Sequence, residues 1–376
     1  MSDIDLDLDL VEDEAEAKQE SSEEDQSWIL LLEDELERGC DFSRIKKIAG
    51  NRPLISDVRV KAWMVLLGVA NKGDPFAADW DGVYNLPYQA LLRKEAHRIV
   101  EGLGNSEGDR LALVSDLEDV LTLYCKSREI VELEEGNGWA DIIQLLLVLK
   151  LSKAQLYNTF FSFTTKYIPR GCIKDGRAFD LFRLLLLYHD PQLCSILDTH
   201  KITPDLYADK WFTTLFSSVC SLEVGLRMWD VYLQQADPFL LFFLALVLLI
   251  NAKELIQEYH QAQTQAKTEE SQPPSGEKSE NSRQELIEKI QSLPSQLSPE
   301  DIDDFCQLAA LYSTKTPQSF RRDYHGPLFG SNLAEAFENV NVHSLMCLPV
   351  SVQELLQSNK LSERDQFIHG YRKGDG

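Results

Sequence analysis

The chain has 376 residues, of which 44% are hydrophobic and 26% charged, and it carries a net charge of −24. This is the composition of a globular protein, and the length suffices for one large or two ordinary domains. A nucleic-acid-binding surface is cationic, so the acidic balance argues against that function, and we predict no nucleic-acid partner.

The seven cysteines are scattered, with no C-x-x-C pair and no Cys/His group at zinc-ligand spacing. This pattern predicts reduced thiols in the cytosol, and no bound metal or other cofactor. The N-terminus is acidic and lacks an apolar stretch, so we expect no signal peptide. The longest apolar run, residues 239–250, is too short to span a bilayer and predicts a central core helix.

Residues 1–27 hold twelve acidic residues against one basic residue, which is typical of a disordered tail. Within it, Ile4, Leu6, Leu8 and Leu10 alternate with aspartates. Two interpretations fit this alternation: a short acidic-hydrophobic ligand motif for a basic groove, or a solvated tail. In the first case the rest of the chain could be a helical scaffold whose tail is the ligand.

From Trp28 onward, apolar residues recur at helical spacing, and no alternating run is bounded as a β-hairpin requires. The sequence therefore predicts an all-α fold. The predicted helices before the linker cover residues 58–68, 87–103, 109–126, 139–149, 153–168, 177–188, 190–197, 204–219, 221–234 and 238–262.

Residues 261–283 are rich in Gln, Glu, Lys and Ser around Pro273-Pro274, and we predict a flexible linker there. Helical spacing resumes between Leu286 and Leu311. These later helices are expected to pack back on the main domain.

Trp63, Trp211 and Trp229 stand at helical spacing among leucines. Rings of this size in such a pattern are expected to build core rather than to bind a ligand. Arg59 lies one helical turn before Trp63, so we predict that it pairs with an internal acid and braces two helices, with Asp230 as the candidate partner. In this interpretation Arg59 is not catalytic.

These motifs, Arg59-x-x-x-Trp63 and Trp211 followed by Trp229-Asp230, resemble those of the TBC domain family. The all-helical domains of that family stimulate GTP hydrolysis by Rab GTPases. The resemblance covers about residues 28–315, and it implies two helical subdomains and a Rab GTPase as a possible partner.

The resemblance implies that an active member of the family contributes two catalytic side chains to the GTPase. An Arg neutralises charge on the transferred phosphoryl group, and a Gln amide orients the attacking water. The resemblance places the Arg in I-x-x-D-x-x-R, which falls here on Leu92, Glu95 and Arg98. Arg98 is then either an arginine finger or a solvated Arg in a basic cluster. The Gln motif, Y-x-Q-G-M, places Asn137 where the family has Gln and Glu135 where it has Tyr.

Asn keeps the amide of Gln but is one methylene shorter, and a misplacement of about 1 Å can cost on the order of 10²-fold in catalysis. Glu134 and Glu135 would also place negative charge near an anionic nucleotide. We therefore predict a TBC domain that has lost efficient catalysis and is not an enzyme. Weak activation of a Rab GTPase through Arg98 alone is the alternative.

Members of the family without the finger pair look like adaptors that capture endosome-derived vesicles at the trans-Golgi by binding golgin coiled-coil tethers. Resemblance to them implies a cytoplasmic protein, peripheral at the trans-Golgi network and on transport vesicles, whose membrane association runs through its partners. Those relatives continue into a rhodanese-like domain. Residues 316–376 are predicted to be a linker and an incomplete start of that region, near residues 347–361.

An acidic-hydrophobic tether peptide would need a positively charged groove. Two groups of basic residues are candidates: Arg93, Lys94, His97 and Arg98, or Lys150, Lys153, Lys166 and Arg170.

Overall fold

The computed structural model describes residues 27–101, 107–133, 135–269 and 276–330. The acidic tail before Ser27 and the predicted rhodanese-like start lie outside these ranges, as does Glu134. Within the described ranges every regular element is a helix and there is no strand, which confirms the predicted all-α fold.

The helices lie in the following order, with α1 given only for its described part. They are α1 (residues 27–37), α2 (Phe42–Ala49), α3 (Ser56–Leu66), α4 (Pro75–Ala78), α5 (Gln89–Glu101), α6 (Glu107–Ser127), α7 (Trp139–Leu147), α8 (Lys153–Lys166), α9 (Arg177–His189), α10 (Pro191–Thr199), α11 (Pro204–Tyr207), α12 (Asp209–Thr213), α13 (Leu222–Gln235), α14 (Leu240–Asn251), α15 (Lys253–Glu269), α16 (Gly276–Gln291), α17 (Ile302–Lys315) and α18 (Gln318–Phe329). Two short 3-10 turns, Leu293–Gln296 and Pro299–Asp301, join α16 to α17.

The centre of the domain is α14, where ten consecutive residues from Leu240 to Leu249 are buried. Helices α9 and α17 pack against it. The prediction of a core helix in the longest apolar run is therefore confirmed. In the described part of the chain no single helix is long and apolar enough to cross a membrane. Helix α14 and the adjoining residues Lys253–Gln265 together have the length and composition of a membrane span, but the two are bent by 52° relative to each other.

Asp230 on α13 ties that helix to α3. Its carboxylate accepts hydrogen bonds from Arg59 Nε at 2.9 Å and Nη2 at 2.9 Å, from Trp63 Nε1 at 2.8 Å and from the Leu54 amide at 3.0 Å. Asp230 is fully buried, and the rings of Trp63 and Trp229 lie 5.9 Å apart beside it. The predicted ion pair and the predicted core tryptophans are both confirmed, since Trp211 is buried as well.

The single helix predicted over residues 204–219 is wrong. The structure has two short helices, α11 and α12, followed by turns in which Leu215 and Phe216 adopt positive φ angles of 49° and 66°. Such angles interrupt a right-handed helix. The buried Trp229 indole donates to the carbonyl oxygen of Leu215 at 2.9 Å, which stabilises this irregular backbone.

The linker predicted over residues 261–283 is largely helical, because α15 continues to Glu269 and α16 begins at Gly276. Residues 270–275, with the two prolines, lie outside the described ranges. The prediction that the domain ends near residue 315 also needs correction. Helix α18 packs on α9, and its Arg321 forms an ion pair of 2.6 Å with Asp237 at the start of the core helix segment.

Candidate functional site

Helix α5 places Arg98 at the surface of the domain. Leu92, Ala96 and Ile99 are buried on one side of the helix, so the helical period turns Arg98 outward, with its side chain 45% exposed. Its Nε donates to Glu95 Oε2 at 3.0 Å, one turn back on the same helix. Arg98 is thus held along its own helix and is not buried in an internal salt bridge.

The residues just before α7, 135–138, form a tight loop that we call the finger loop. Gly138 adopts a φ of 86°, and a Cβ atom there would lie only 2.7 Å from Cγ2 of the buried Thr214. Lys210 Nζ donates to the carbonyl oxygen of Gly136 at 2.7 Å. The loop is therefore fixed closely against the residues of α12 and the turn after it.

Asn137, at the glutamine position of the family motif, uses its side chain to bind the first amide of α7. Its Oδ1 accepts a hydrogen bond from the Trp139 amide at 3.0 Å. Among the described residues, the Asn137 side-chain nitrogen has no hydrogen-bond partner. The side-chain oxygen of this half-buried Asn137 is thus engaged within the chain.

Asn137 and the Arg98 partner Glu95 line the same shallow hollow, whose volume is about 210 Å³ including space open to solvent. Arg98 Nη1 also lies 3.9 Å from Asp141 Oδ1, in the first turn of α7. The structure therefore brings the two sequence motifs together, since Leu92 and Glu95 of the first and Asn137 of the second line one hollow, which Arg98 itself does not line. The full lining consists of Leu92, Glu95, Leu121, Leu133, Asn137, Trp139 and Ala140.

A family model of the Rab-GTPase-TBC domain matches residues 56–257, which is more than half of the chain. The chain belongs to the TBC domain family. TBC domains generally interact with Rab GTPases.

Two curated relatives match this TBC domain over about half of the chain. TBC1 domain family member 1 of Mus musculus is 30% identical over 194 residues, which are 48% of this chain and 15% of that protein. TBC domain-containing protein kinase-like protein of Homo sapiens is 31% identical over 192 residues, 47% of this chain and 20% of that protein. The match thus spans a fifth or less of the relatives' length.

A solved structure has the same fold. The Chlamydomonas flagellar RabGAP TBC domain superimposes with a TM-score of 0.55 at 16% identity, covering 79% of this chain and 94% of that one. At this level of identity the likeness shows the fold alone.

The acidic residue of the finger loop is paired in this TBC domain. Lys94 Nζ on α5 donates to Glu135 Oε1 at 2.7 Å, and this hydrogen bond lowers the pKa of Glu135. Both side chains are mostly exposed, so the pair contributes little stability. It links α5 to the finger loop, and it partly offsets the negative charge expected near a nucleotide.

Asp141 was not identified from the sequence, although it lies only four residues after Asn137. Burial raises the pKa of its carboxyl, while the charges of Arg98 and Lys210 lower it. A carboxyl whose folded-state pKa lies above the unfolded value contributes stability below the unfolded pKa and loses it as pH rises through the folded pKa. The charged form of Asp141 is therefore less favourable in the folded chain than in the unfolded chain, and Arg98 offsets part of that cost.

We expect Arg98→Ala to raise the pKa of Asp141 further, because it removes a cation that stabilises the charged carboxylate. The measurement is an NMR titration of the Asp141 side-chain carboxyl. Arg93→Ala is the matched control, since Arg93 is on the same helix but pairs with Glu118 at 3.0 Å. Equal shifts in both variants would contradict the assigned Arg98–Asp141 interaction.

The first group of basic candidates is gathered on α5, but most of its charge is paired. Arg93 binds Glu118 through two hydrogen bonds of 3.0 Å, and Lys94 and Arg98 bind the carboxylates described above. His97 is exposed. This face is thus a row of ion pairs and not an uncompensated positive groove.

The second group does not meet in one place. Lys153 and Lys166 are the first and last residues of α8, about 20 Å apart. Lys153 pairs with Asp116 and Asp119, and Lys166 Nζ donates to the carbonyl oxygen of Leu67 at 2.6 Å. Lys150, which precedes α8 in the chain, and Arg170, which follows it, are both exposed. Within the described residues, no group of three or more His, Cys, Asp or Glu side chains is arranged to hold a metal ion.

Proposed function

We propose that this TBC domain is catalytically weak or inactive and acts as an adaptor in vesicle tethering. The observation that supports weak catalysis best is the hydrogen bond from the Trp139 amide to Asn137 Oδ1. Orienting a water molecule for attack requires a correctly placed acceptor. In this loop the Asn137 oxygen already accepts a hydrogen bond from the first amide of α7, which fixes its direction.

The rigidity of the finger loop also supports the proposal. Asn is about one methylene shorter than Gln, so the loop would have to advance to place the amide at the same point. Gly138 leaves no space against Thr214, and Lys210 of the same α12 segment holds Gly136. A rigid loop cannot compensate for a short side chain, and small misplacements cost large factors in rate.

The adaptor role is supported by the sequence. Residues 167–170, 233–239, 251–254 and 313–317 resemble those of TBC domain family member 23. Its relatives lack the finger pair and look like adaptors that bind golgin tethers at the trans-Golgi. By this resemblance the chain would act on the cytoplasmic side of the trans-Golgi network and of transport vesicles. An acidic tether segment would bind the α5 group by exchanging the present carboxylate partners for its own.

A second candidate function is a Rab GTPase-activating protein that uses Arg98 alone. The exposure of Arg98 and its position beside the hollow support this alternative. The GTPase would then keep its own glutamine for orienting the water, as in the division of labour of Ras-type activation.

Single-turnover GTP hydrolysis across a panel of Rab GTPases separates the two functions. We expect the wild type to accelerate no Rab by more than about tenfold, because one of the two catalytic side chains is not available. Arg98→Ala and the same-helix control Arg93→Ala should then be indistinguishable from it. An acceleration of about 10³ or more that is lost in Arg98→Ala and kept in Arg93→Ala would establish the lone arginine finger instead.

The tether interaction needs its own test. Binding of golgin N-terminal segments to the full chain is compared with binding to Lys94→Glu, on α5, and Lys150→Glu, beyond α7. We expect binding to the wild type and to Lys150→Glu, and a loss of at least tenfold in Lys94→Glu. Failure of every golgin segment to bind the wild type would overturn the adaptor proposal.

A further inference from the structure

Helix α9 exposes a row of large apolar side chains. Leu184, Leu187 and Tyr188 are 37%, 42% and 50% exposed, although Leu185 and Leu186 beside them are buried in the core. The spacing i, i+3, i+4 places the exposed three on one face of the helix. A contiguous exposed apolar face of this kind marks an interaction site more often than a free surface.

Helix α17 adds two exposed leucines, Leu308 and Leu311, at 42% and 47%. The last turns of α9 and α17 touch each other. The rings of His189 and Tyr312 lie 5.1 Å apart, and His189 Nε2 is 2.8 Å from Thr316 Oγ1. All five apolar side chains thus lie within about 12 Å of this junction along the two helix axes.

We call these five residues, Leu184, Leu187, Tyr188, Leu308 and Leu311, the α9–α17 face. They are a third of the large apolar side chains that are exposed in the described residues, and the others occur singly or in adjacent pairs along the chain.

The path of the chain brings its next segment close to this face. Helix α18 begins beside the junction, where the rings of Phe320 and Tyr188 are 5.8 Å apart. It then runs back along α9, and the Arg170 amide donates to the carbonyl oxygen of Leu328 at 2.7 Å. Gly330 lies beside Arg170, so the described chain ends about 18 Å from the junction, one length of α18 away.

The sequence that follows Gly330 is suited to cover the face. Residues 345–356 hold seven aliphatic or methionine side chains. Among them Val352, Leu355 and Leu356 repeat the i, i+3, i+4 spacing of the exposed row on α9. The fifteen residues from Gly330 to Leu345 span up to about 50 Å, well above the 18 Å required. A tether of this length gives an effective concentration in the millimolar range.

We propose that residues 345–356 of this same chain dock on the α9–α17 face. Burial of their apolar side chains against Leu187 and Leu308 supplies the driving force, and the covalent link makes the contact intramolecular. The α9–α17 face is then a binding surface that the chain itself covers, and a partner that uses it must displace this segment.

Photo-cross-linking in the full chain tests the proposal. Benzoylphenylalanine in place of Leu187 should give an intrachain product that mass spectrometry maps to residues 345–356. The product should fall at least fivefold in Leu355→Glu/Leu356→Glu. Gln353→Glu, in the same segment but off the apolar row, should leave it unchanged. The same cross-linker in place of Leu111, which is 63% exposed on α6, is the control for random contact.

Two results would overturn the proposal. A product that joins two chains at Leu187 would make the face a site for a second copy. The segment does not dock if the cross-linking yield at Leu187 matches that of the Leu111 control. The same conclusion follows if Leu355→Glu/Leu356→Glu does not change the yield at Leu187. Binding of an apolar dye gives an independent measurement, since Leu355→Glu/Leu356→Glu should raise dye fluorescence at least threefold by uncovering the face.

Discussion

We expect Asp230→Asn to lower the free energy of unfolding by about 3–5 kcal/mol. The substitution keeps the size of the side chain but removes the charge that compensates Arg59, whose side chain is only 13% exposed. The Asn nitrogen would also replace one of the two acceptor oxygens, and it would then face the N–H donor of either Trp63 or Leu54. A buried cation and unsatisfied donors together account for the size of the expected loss.

Urea unfolding of the full chain measures this effect, and Asp198→Asn is the matched control. Asp198 also binds an arginine through two hydrogen bonds, from Arg183 Nε at 3.0 Å and Nη2 at 2.5 Å. That pair is roughly 40% exposed on both sides, so its loss should cost less than about 1 kcal/mol. Equal losses in the two variants would show that burial does not determine the strength of the Asp230 interactions.

The second large effect is expected from Gly138→Ala in the finger loop. The positive φ angle alone costs an alanine roughly 1 kcal/mol. The added Cβ would also lie 2.7 Å from Cγ2 of the buried Thr214 and 3.1 Å from the carbonyl oxygen of the half-buried Thr213. We expect a total loss of about 3 kcal/mol in unfolding free energy.

The variant Gly136→Ala separates the cost of a positive φ angle from the cost of the steric contact with Thr213 and Thr214. Gly136 has a similar φ of 72°, but the nearest atom to its added Cβ would be Lys210 Nζ at 3.9 Å. This variant should lose only about 1 kcal/mol. Gly138→Ala combined with Thr214→Ser, which removes Cγ2 and keeps the hydroxyl, should recover part of the difference. Identical stabilities of Gly136→Ala and Gly138→Ala would contradict a tightly packed loop.

Features that depend on short sequence spacing could be predicted from the sequence. The turn of helix between Arg59 and Trp63 predicted a buried brace, and the structure has that brace with Asp230 as the acceptor. The periodicity of α5 places Arg98 on the side of the helix opposite the buried Leu92, Ala96 and Ile99. In each case one helical period fixes which residues share a face.

Features that depend on contacts between distant residues were not predictable. The basic cluster on α5 reads as a positive patch, yet Glu118 and Glu135 come from other elements and pair with it. Helix α18 carries Gly326 and Pro327, which weaken any helical prediction, and packing on α9 overrides that local preference. The break at Leu215 depends in the same way on the buried indole of Trp229.

The separation of Arg59 from Asp230 along the chain has a consequence for synthesis on the ribosome. The two residues are 171 positions apart, so α3 emerges long before its acceptor is made. At elongation rates of about 5–20 residues per second, the delay is roughly 10–30 s. During that time the carboxylate that accepts from Arg59 and Trp63 is absent, whereas Phe163, whose ring lies 5.9 Å from that of Trp63, is made earlier than Asp230. The buried brace between α3 and α13 is therefore a late contact in synthesis, and native closure around it waits for the second half of the polypeptide.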